Sequence, residues 1–307
     1  MARAPEIECV LDARATTGET PTWCEREQAL YWIDVEEPAL HRFDPATGED
    51  IRWLLADEIG CFVLTNKRGA AIVALRSGIH RLDVVTGETV YLAGPPYDPS
   101  LHRFNEGACD AAGRFWVGTM FAPANRGLDP PRRKAGATEK AGALHYFTPD
   151  EGLVERSPAA IEPNGLAWSP DNRTIFFAHT EARTIFAFDF DVSTASLKNR
   201  RVFATIPESI GKPDGGTVDA EGCYWSGIYG GGRLIRFTPS GTVDREIRLP
   251  VSCPTMCAFG GSTLEDLYVA SASKDLDAAG RAREPLAGGI FRLKPGVRGL
   301  PARTFAG

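Results

Sequence analysis

The chain has 307 residues, a formal net charge of −6 and 43% hydrophobic residues. That acidic balance argues against a nucleic-acid partner, whose phosphate backbone calls for a basic surface. No apolar run is long enough to span a bilayer, and the N-terminus lacks a basic start followed by an apolar stretch, so neither a membrane span nor a signal peptide is expected.

Taken in chain order, the sequence repeats itself about six times. Tyr31-Trp32-Ile33-Asp34-Val35 leads to Leu40-His41-Arg42-Phe43-Asp44 and a turn at Pro45-Ala46-Thr47-Gly48. Ala71-Ile72-Val73-Ala74-Leu75 leads to Ile79-His80-Arg81-Leu82-Asp83 and the turn Val85-Thr86-Gly87. Phe115-Trp116-Val117-Gly118 reaches Ala143-Leu144-His145-Tyr146-Phe147 only after a long insertion. Thr174-Ile175-Phe176-Phe177-Ala178 is followed by Thr184-Ile185-Phe186-Ala187-Phe188-Asp189, and Tyr224-Trp225-Ser226-Gly227 by Arg233-Leu234-Ile235-Arg236-Phe237. Leu267-Tyr268-Val269-Ala270 pairs with Gly289-Ile290-Phe291-Arg292-Leu293. Before each aromatic strand stands a polar turn such as Asp110-Ala111-Ala112-Gly113 or Asp219-Ala220-Glu221-Gly222, and before that a short strand of small residues.

Short strands with turn signals, at a period of about 41 to 60 residues, are the mark of propeller blades. The expected fold is therefore all-β, a six-bladed β-propeller forming one domain over residues 1–307. The small-residue strands would line its channel. The stretch Glu6-Ile7-Glu8-Cys9-Val10-Leu11 is expected to complete the last blade and hide an edge. No amphipathic helix is expected.

Seven cysteines at irregular spacing read as buried, reduced thiols of a cytoplasmic protein. The five histidines are scattered, and His41 and His80 occupy matching strand positions as relics of the repeat.

Four polar residues stand at one equivalent place: Glu19, Asn105, Asn164 and Asp214. Singly each has a plain reading, Glu19 as a solvated loop residue and the others as turn residues beside Gly. Together they occupy the entry to the channel strand of four blades, where the second and sixth blades carry Ile59-Gly60 and Thr255-Met256. Oxygen-bearing side chains at one level of a channel, with no histidine among them, suit a hard divalent cation.

At these residues the chain resembles the senescence-marker-protein, gluconolactonase and regucalcin-like lactonases. The resemblance runs from Glu19 to about Leu293. It rests on Gly18-Glu19-Thr20-Pro21-Thr22-Trp23, Arg103-Phe104-Asn105-Glu106-Gly107, Asn164-Gly165-Leu166-Ala167-Trp168, Pro213-Asp214-Gly215 and Pro254-Thr255-Met256-Cys257 in that order. It implies a six-bladed propeller holding one divalent cation on Glu19, Asn164 and Asp214. It also implies Arg103 and Asn105 facing the substrate and Asp214 doubling as the base. The cofactor expected first is calcium; zinc, magnesium, manganese and ferrous iron are also compatible. The substrate implied is a small-molecule sugar lactone.

Two departures bear on the substrate. Glu106 stands where the family usually has Asp, a longer side chain that can reach differently. After Met120, where many relatives carry an acidic residue that helps bind sugar, this chain has Phe121-Ala122-Pro123. The insertion from Pro123 to Ala141, rich in Arg and Lys, reads as a solvated loop or as a lid over an acidic product. Other metal-dependent ester or phosphotriester hydrolysis on the same scaffold, or calcium binding without catalysis, stay open. Arg103 has no obvious carboxylate neighbour in sequence to pair with; as a substrate-facing residue its loss is expected to weaken turnover and spare metal content and thermal stability, and a structural salt bridge to a distant acid is the alternative.

Overall fold

The computed structural model describes residues 5–124, 142–160 and 163–307. They form six four-stranded antiparallel sheets, five of which take their strands in chain order from the channel outward. The innermost strands are Gly18–Cys24, Ile59–Leu64, His102–Cys109, Pro163–Trp168, Lys212–Val218 and Pro254–Gly260. Neighbouring innermost strands touch all the way round, the last against the first, so the sheets close into a six-bladed propeller. The sixth blade borrows its outer strand from the start of the chain: Ile7–Leu11 pairs antiparallel with Ile290–Leu293. That closure is the one expected from Glu6 to Leu11.

The core lies between the blades rather than within them. Six apolar clusters fill the six gaps, each built from two neighbouring blades. The second strand of a blade is therefore buried on both faces, which explains continuous apolar runs such as Ala29–Asp34 in place of alternation. Outer strands such as Val243–Arg248 face solvent on nearly every residue.

The polar turn ahead of the aromatic strand has a physical reason. In the third blade Asp110 takes the Ala112 amide on one oxygen (2.9 Å) and the Trp116 indole N–H on the other (2.7 Å). In the fifth blade Asp219 does the same for Glu221 (2.9 Å) and Trp225 (2.9 Å). Each turn closes on a glycine with positive φ, Gly113 at 78° and Gly222 at 81°, where a side chain would be strained. One aspartate thus fixes both the turn and the indole of the strand it introduces.

Two features depart from expectation or extend it. A six-residue helix, Ala278–Arg283, is present in the sixth blade, capped by Asp277, whose side chain accepts from the Gly280 amide; no helix was expected. It is too short to show a helical period, and the only residue it buries is Gly280. The segment from Gly299 to Phe305 crosses the channel end opposite the candidate site. Gly299 donates to Leu264 O (2.8 Å) and bridges Asp219, Arg303 lies over the Trp168 ring, and Ala306 donates to Gly113 O (3.1 Å). Phe305 bridges Thr65 and stacks on Phe147 at 5.9 Å. This strap ties five blades together. Most of the Pro123–Ala141 insertion lies outside the described residues. All seven cysteines are free thiols, six of them buried.

Phe305 is 2% exposed in the gap between the second and third blades. Phe305→Ala is expected to lower the unfolding free energy by about 3–5 kcal/mol, the cost of emptying a buried aromatic site, as measured by urea denaturation.

Candidate functional site

Each innermost strand breaks its ladder register once, at the same level: between Glu19 and Thr22, Ile59 and Cys61, Phe104 and Gly107, Asn164 and Ala167, Pro213 and Gly216, and Pro254 and Cys257. An irregularity of this kind re-aims side chains and leaves backbone groups without ladder partners. Glu19, Asn105, Asn164 and Asp214 all fall at these breaks. With Arg103 they line one cavity of about 220 Å³, whose walls also include Met120, Thr180, Lys212, Tyr229 and Lys274.

The other two blades carry no carboxylate or amide side chain at this level. In the second, Ile59 is fully buried, and a Cβ on Gly60 would lie 2.3 Å from Phe104 O. In the sixth, the Thr255 hydroxyl is spent on Gly18 O at 2.6 Å.

The site is tied together by one run of hydrogen bonds. Arg103 Nη1 donates to Asn105 Oδ1 (3.0 Å) and to Phe104 O (2.8 Å). Asn105 Nδ2 donates to Asn164 Oδ1 (2.7 Å) and to Pro163 O (3.0 Å). Asn164 Nδ2 donates to Thr180 Oγ1 (2.8 Å), and that hydroxyl donates to Pro213 O (2.8 Å), the residue before Asp214. Three blades are therefore in register at the site. Thr180 carried no signal in the sequence, because its partner lies more than thirty residues away.

Arg103 differs from expectation. Its Nε lies 3.2 Å from Glu58 Oε1, and Arg76 donates to the other oxygen of the same carboxylate through Nε at 2.8 Å. Arg76 in turn donates to the carbonyls of Pro99, His102 and Ala122. Arg103 is thus a wall of the cavity and a structural cation at once. The expectation that its loss spares stability is revised, since the pair is long-range and invisible to sequence spacing.

The acidic groups are crowded and poor in compensation. Burial pushes the Glu19 carboxyl up to about 7, against the pull of the Thr20 amide, which donates to it at 3.1 Å. Burial and then the nearby Glu19 charge push Glu106 up to about 8, while the Gly165 and Leu166 amides pull it down. Asp214 is 8% exposed beside them. Buried carboxyls raised in this way suit a bound cation, whose charge reverses the shift. The donor set also fits: two carboxylates and a carbonyl oxygen of Asn164, which has a lone pair to spare beyond the bond from Asn105. Among the described residues no group of three His, Cys, Asp or Glu could hold a metal, so a cation here relies on the amide oxygen and on water.

The six blades and this mouth of oxygen donors beside an arginine define a β-propeller with a polar cavity at one end of its channel. The chain belongs to the SMP-30/gluconolactonase/LRE-like family, whose profile matches residues 17–273. It is 38% identical over 303 residues to the 6-deoxy-6-sulfogluconolactonase of Pseudomonas putida, covering 98% of this chain and 99% of that one. It is 34% identical over 304 residues to regucalcin of Gallus gallus, again over 98% and 99% of the two chains. Among solved structures it is similar to a luciferin-regenerating enzyme, with a TM-score of 0.87 and 26% identity over 98% of this chain and 99% of the other.

Arg103→Ala leaves the Glu58 carboxylate to Arg76 alone and takes the Arg103 bond from Asn105 Oδ1. Losing these charge-assisted bonds is expected to cost roughly 2 kcal/mol of stability, read as a lower urea midpoint at unchanged slope.

Proposed function

We propose that this chain is a hydrolase that opens a sugar lactone to its acid, using one divalent cation held by Glu19, Asn164 and Asp214. What supports the reading above all is the convergence of those three side chains with Arg103 and Asn105 on one cavity, in a chain similar end to end to a lactonase. The hard oxygen donors favour calcium, with magnesium, manganese, zinc and ferrous iron compatible.

When bound, the cation polarises the lactone carbonyl and offsets the charge that develops on its oxygen. Asp214 takes a proton from water as the water oxygen bonds to the carbonyl carbon. The bond from that carbon to the ring oxygen then breaks, and the proton passes to the freed oxygen. One lactone and one water give one hydroxy acid. Arg103, held by Glu58 and Asn105, presents a fixed cation to substrate oxygens. Asn105 spends its Nδ2 on Asn164 and Pro163, so its part is to line the cavity and to orient Asn164.

Within the lactones, the cavity mouth favours a substrate with an anionic tail. Lys212 and Lys274 are about a third exposed there, paired with Glu181 at 2.5 Å and Glu36 at 3.4 Å. Half-exposed pairs of this kind are weak and open readily to a competing anion. The sulfonated lactone named for the Pseudomonas relative is an example of such a substrate.

Exhaustive chelation is expected to abolish lactone opening, and elemental analysis of the active protein to find one divalent ion per chain. Activity that survives chelation in protein free of metal would overturn the reading. Asp214→Asn keeps a ligand oxygen but cannot accept a proton. It is expected to slow lactone opening by about 10²–10⁴-fold while retaining the cation in calorimetry; equal, modest losses in both would leave Asp214 a ligand only.

A further inference from the structure

Glu106 takes no part in the chemistry above, yet it is only 4% exposed, directly after the cavity residue Asn105. Its two carboxyl oxygens accept from consecutive amides of the next blade, Gly165 N at 2.6 Å and Leu166 N at 2.6 Å. Those amides immediately follow Asn164 and lie in the register break between Asn164 and Ala167, where the ladder offers them no partner. A carboxylate that satisfies two orphan amides at once forms strong, short bonds.

The Gly165 peptide is gripped from its other side as well. The Tyr224 hydroxyl donates to Gly165 O at 2.7 Å, and Gly165 has φ +64°. A Cβ there would lie 2.0 Å from the Tyr224 hydroxyl, so the backbone at this point has no room to shift. Asn105, the neighbour of Glu106 in sequence, holds the Asn164 side chain through Oδ1. Consecutive residues of the third blade therefore clamp Asn164 by its amide group and by its backbone.

We infer that Glu106 is a positioning residue for the cation site: by binding the amides after Asn164 it fixes where the Asn164 oxygen stands. The inference rests on the proposed assignment of Glu19, Asn164 and Asp214 as cation ligands. It does not require Glu106 to touch the cation. A glutamine at 106 has the same shape but accepts through one oxygen only, and its amino group then opposes the second backbone N–H.

The test is titration calorimetry of the folded, metal-stripped protein with Ca²⁺, Mn²⁺ and Zn²⁺, each alone. Glu106→Gln is expected to weaken cation binding by about 10–100-fold, the range for lost support behind a metal ligand. Glu106→Asp, which can reach one amide but not both, is expected to fall between that variant and the native protein; it carries the test if the glutamine variant does not fold. Phe305→Ala serves as the control, because it removes stability far from the site and is expected to leave affinity unchanged. If the Glu106 variants bind as tightly as native protein, the inference is overturned and the cation assignment stands. If Phe305→Ala weakens binding as much as they do, general destabilisation explains the effect and the positioning role is lost. If native protein binds none of the three ions, the cation assignment itself fails and takes this inference with it.

Discussion

In every innermost strand the antiparallel ladder slips at one level, and that slip governs what the channel mouth can present. A regular strand would send alternate side chains into the two neighbouring inter-blade gaps. The break turns Glu19, Asn105, Asn164 and Asp214 toward one cavity instead. It also leaves backbone amides to be satisfied by side chains, and Glu106 does so for Gly165 and Leu166. Convergence and its supporting bonds come from the same irregularity.

The rigidity of the site is borrowed from the spaces between blades. Asn105 of the third blade, held by Arg103, reaches Asn164 of the fourth, and Thr180 carries the contact to Pro213 of the fifth. The Asn105–Asn164 and Thr180–Pro213 bonds each cross a gap already filled by an apolar cluster, so neither blade can shift without disturbing that packing. Electrostatics works against this order. Glu106 is buried and Glu19 half-buried, both are raised, and Arg103, one of the two cations that offset Glu19, is shared with Glu58. Acidic crowding of this sort costs stability unless something positive stands among the carboxyls.

The blades were legible in the sequence because their period is written in large apolar residues and Asp-x-x-Gly turns, each of which has a local cause in the indole and turn bonds of Asp110 and Asp219. The closing strand at Ile7–Leu11 was legible because a ring of blades leaves one edge to cover. The five candidate residues were legible from equivalence within the repeat and from family resemblance. What escaped lacks both signals. Glu58 meets Arg103 across forty-five positions of sequence, the helix Ala278–Arg283 is shorter than two turns, and the strap from Gly299 belongs to no blade. The departure at Glu106 was visible as a residue, but only the fold shows that its length spans the gap to two amides of the next blade.

The strap has a consequence for traffic. Beneath the register breaks lies a second space on the axis, about 150 Å³, walled by residues such as Leu166, Met256 and Cys257 and by Leu300 to Arg303 of the strap. The strap lies across that end of the axis, so the two mouths of the channel are unlike. Under the proposed function, an arriving lactone and the departing acid would both pass the doorway of Lys212 and Lys274. Each ammonium at that doorway already answers a glutamate, so the doorway carries paired charges whose mutual hold loosens as salt rises.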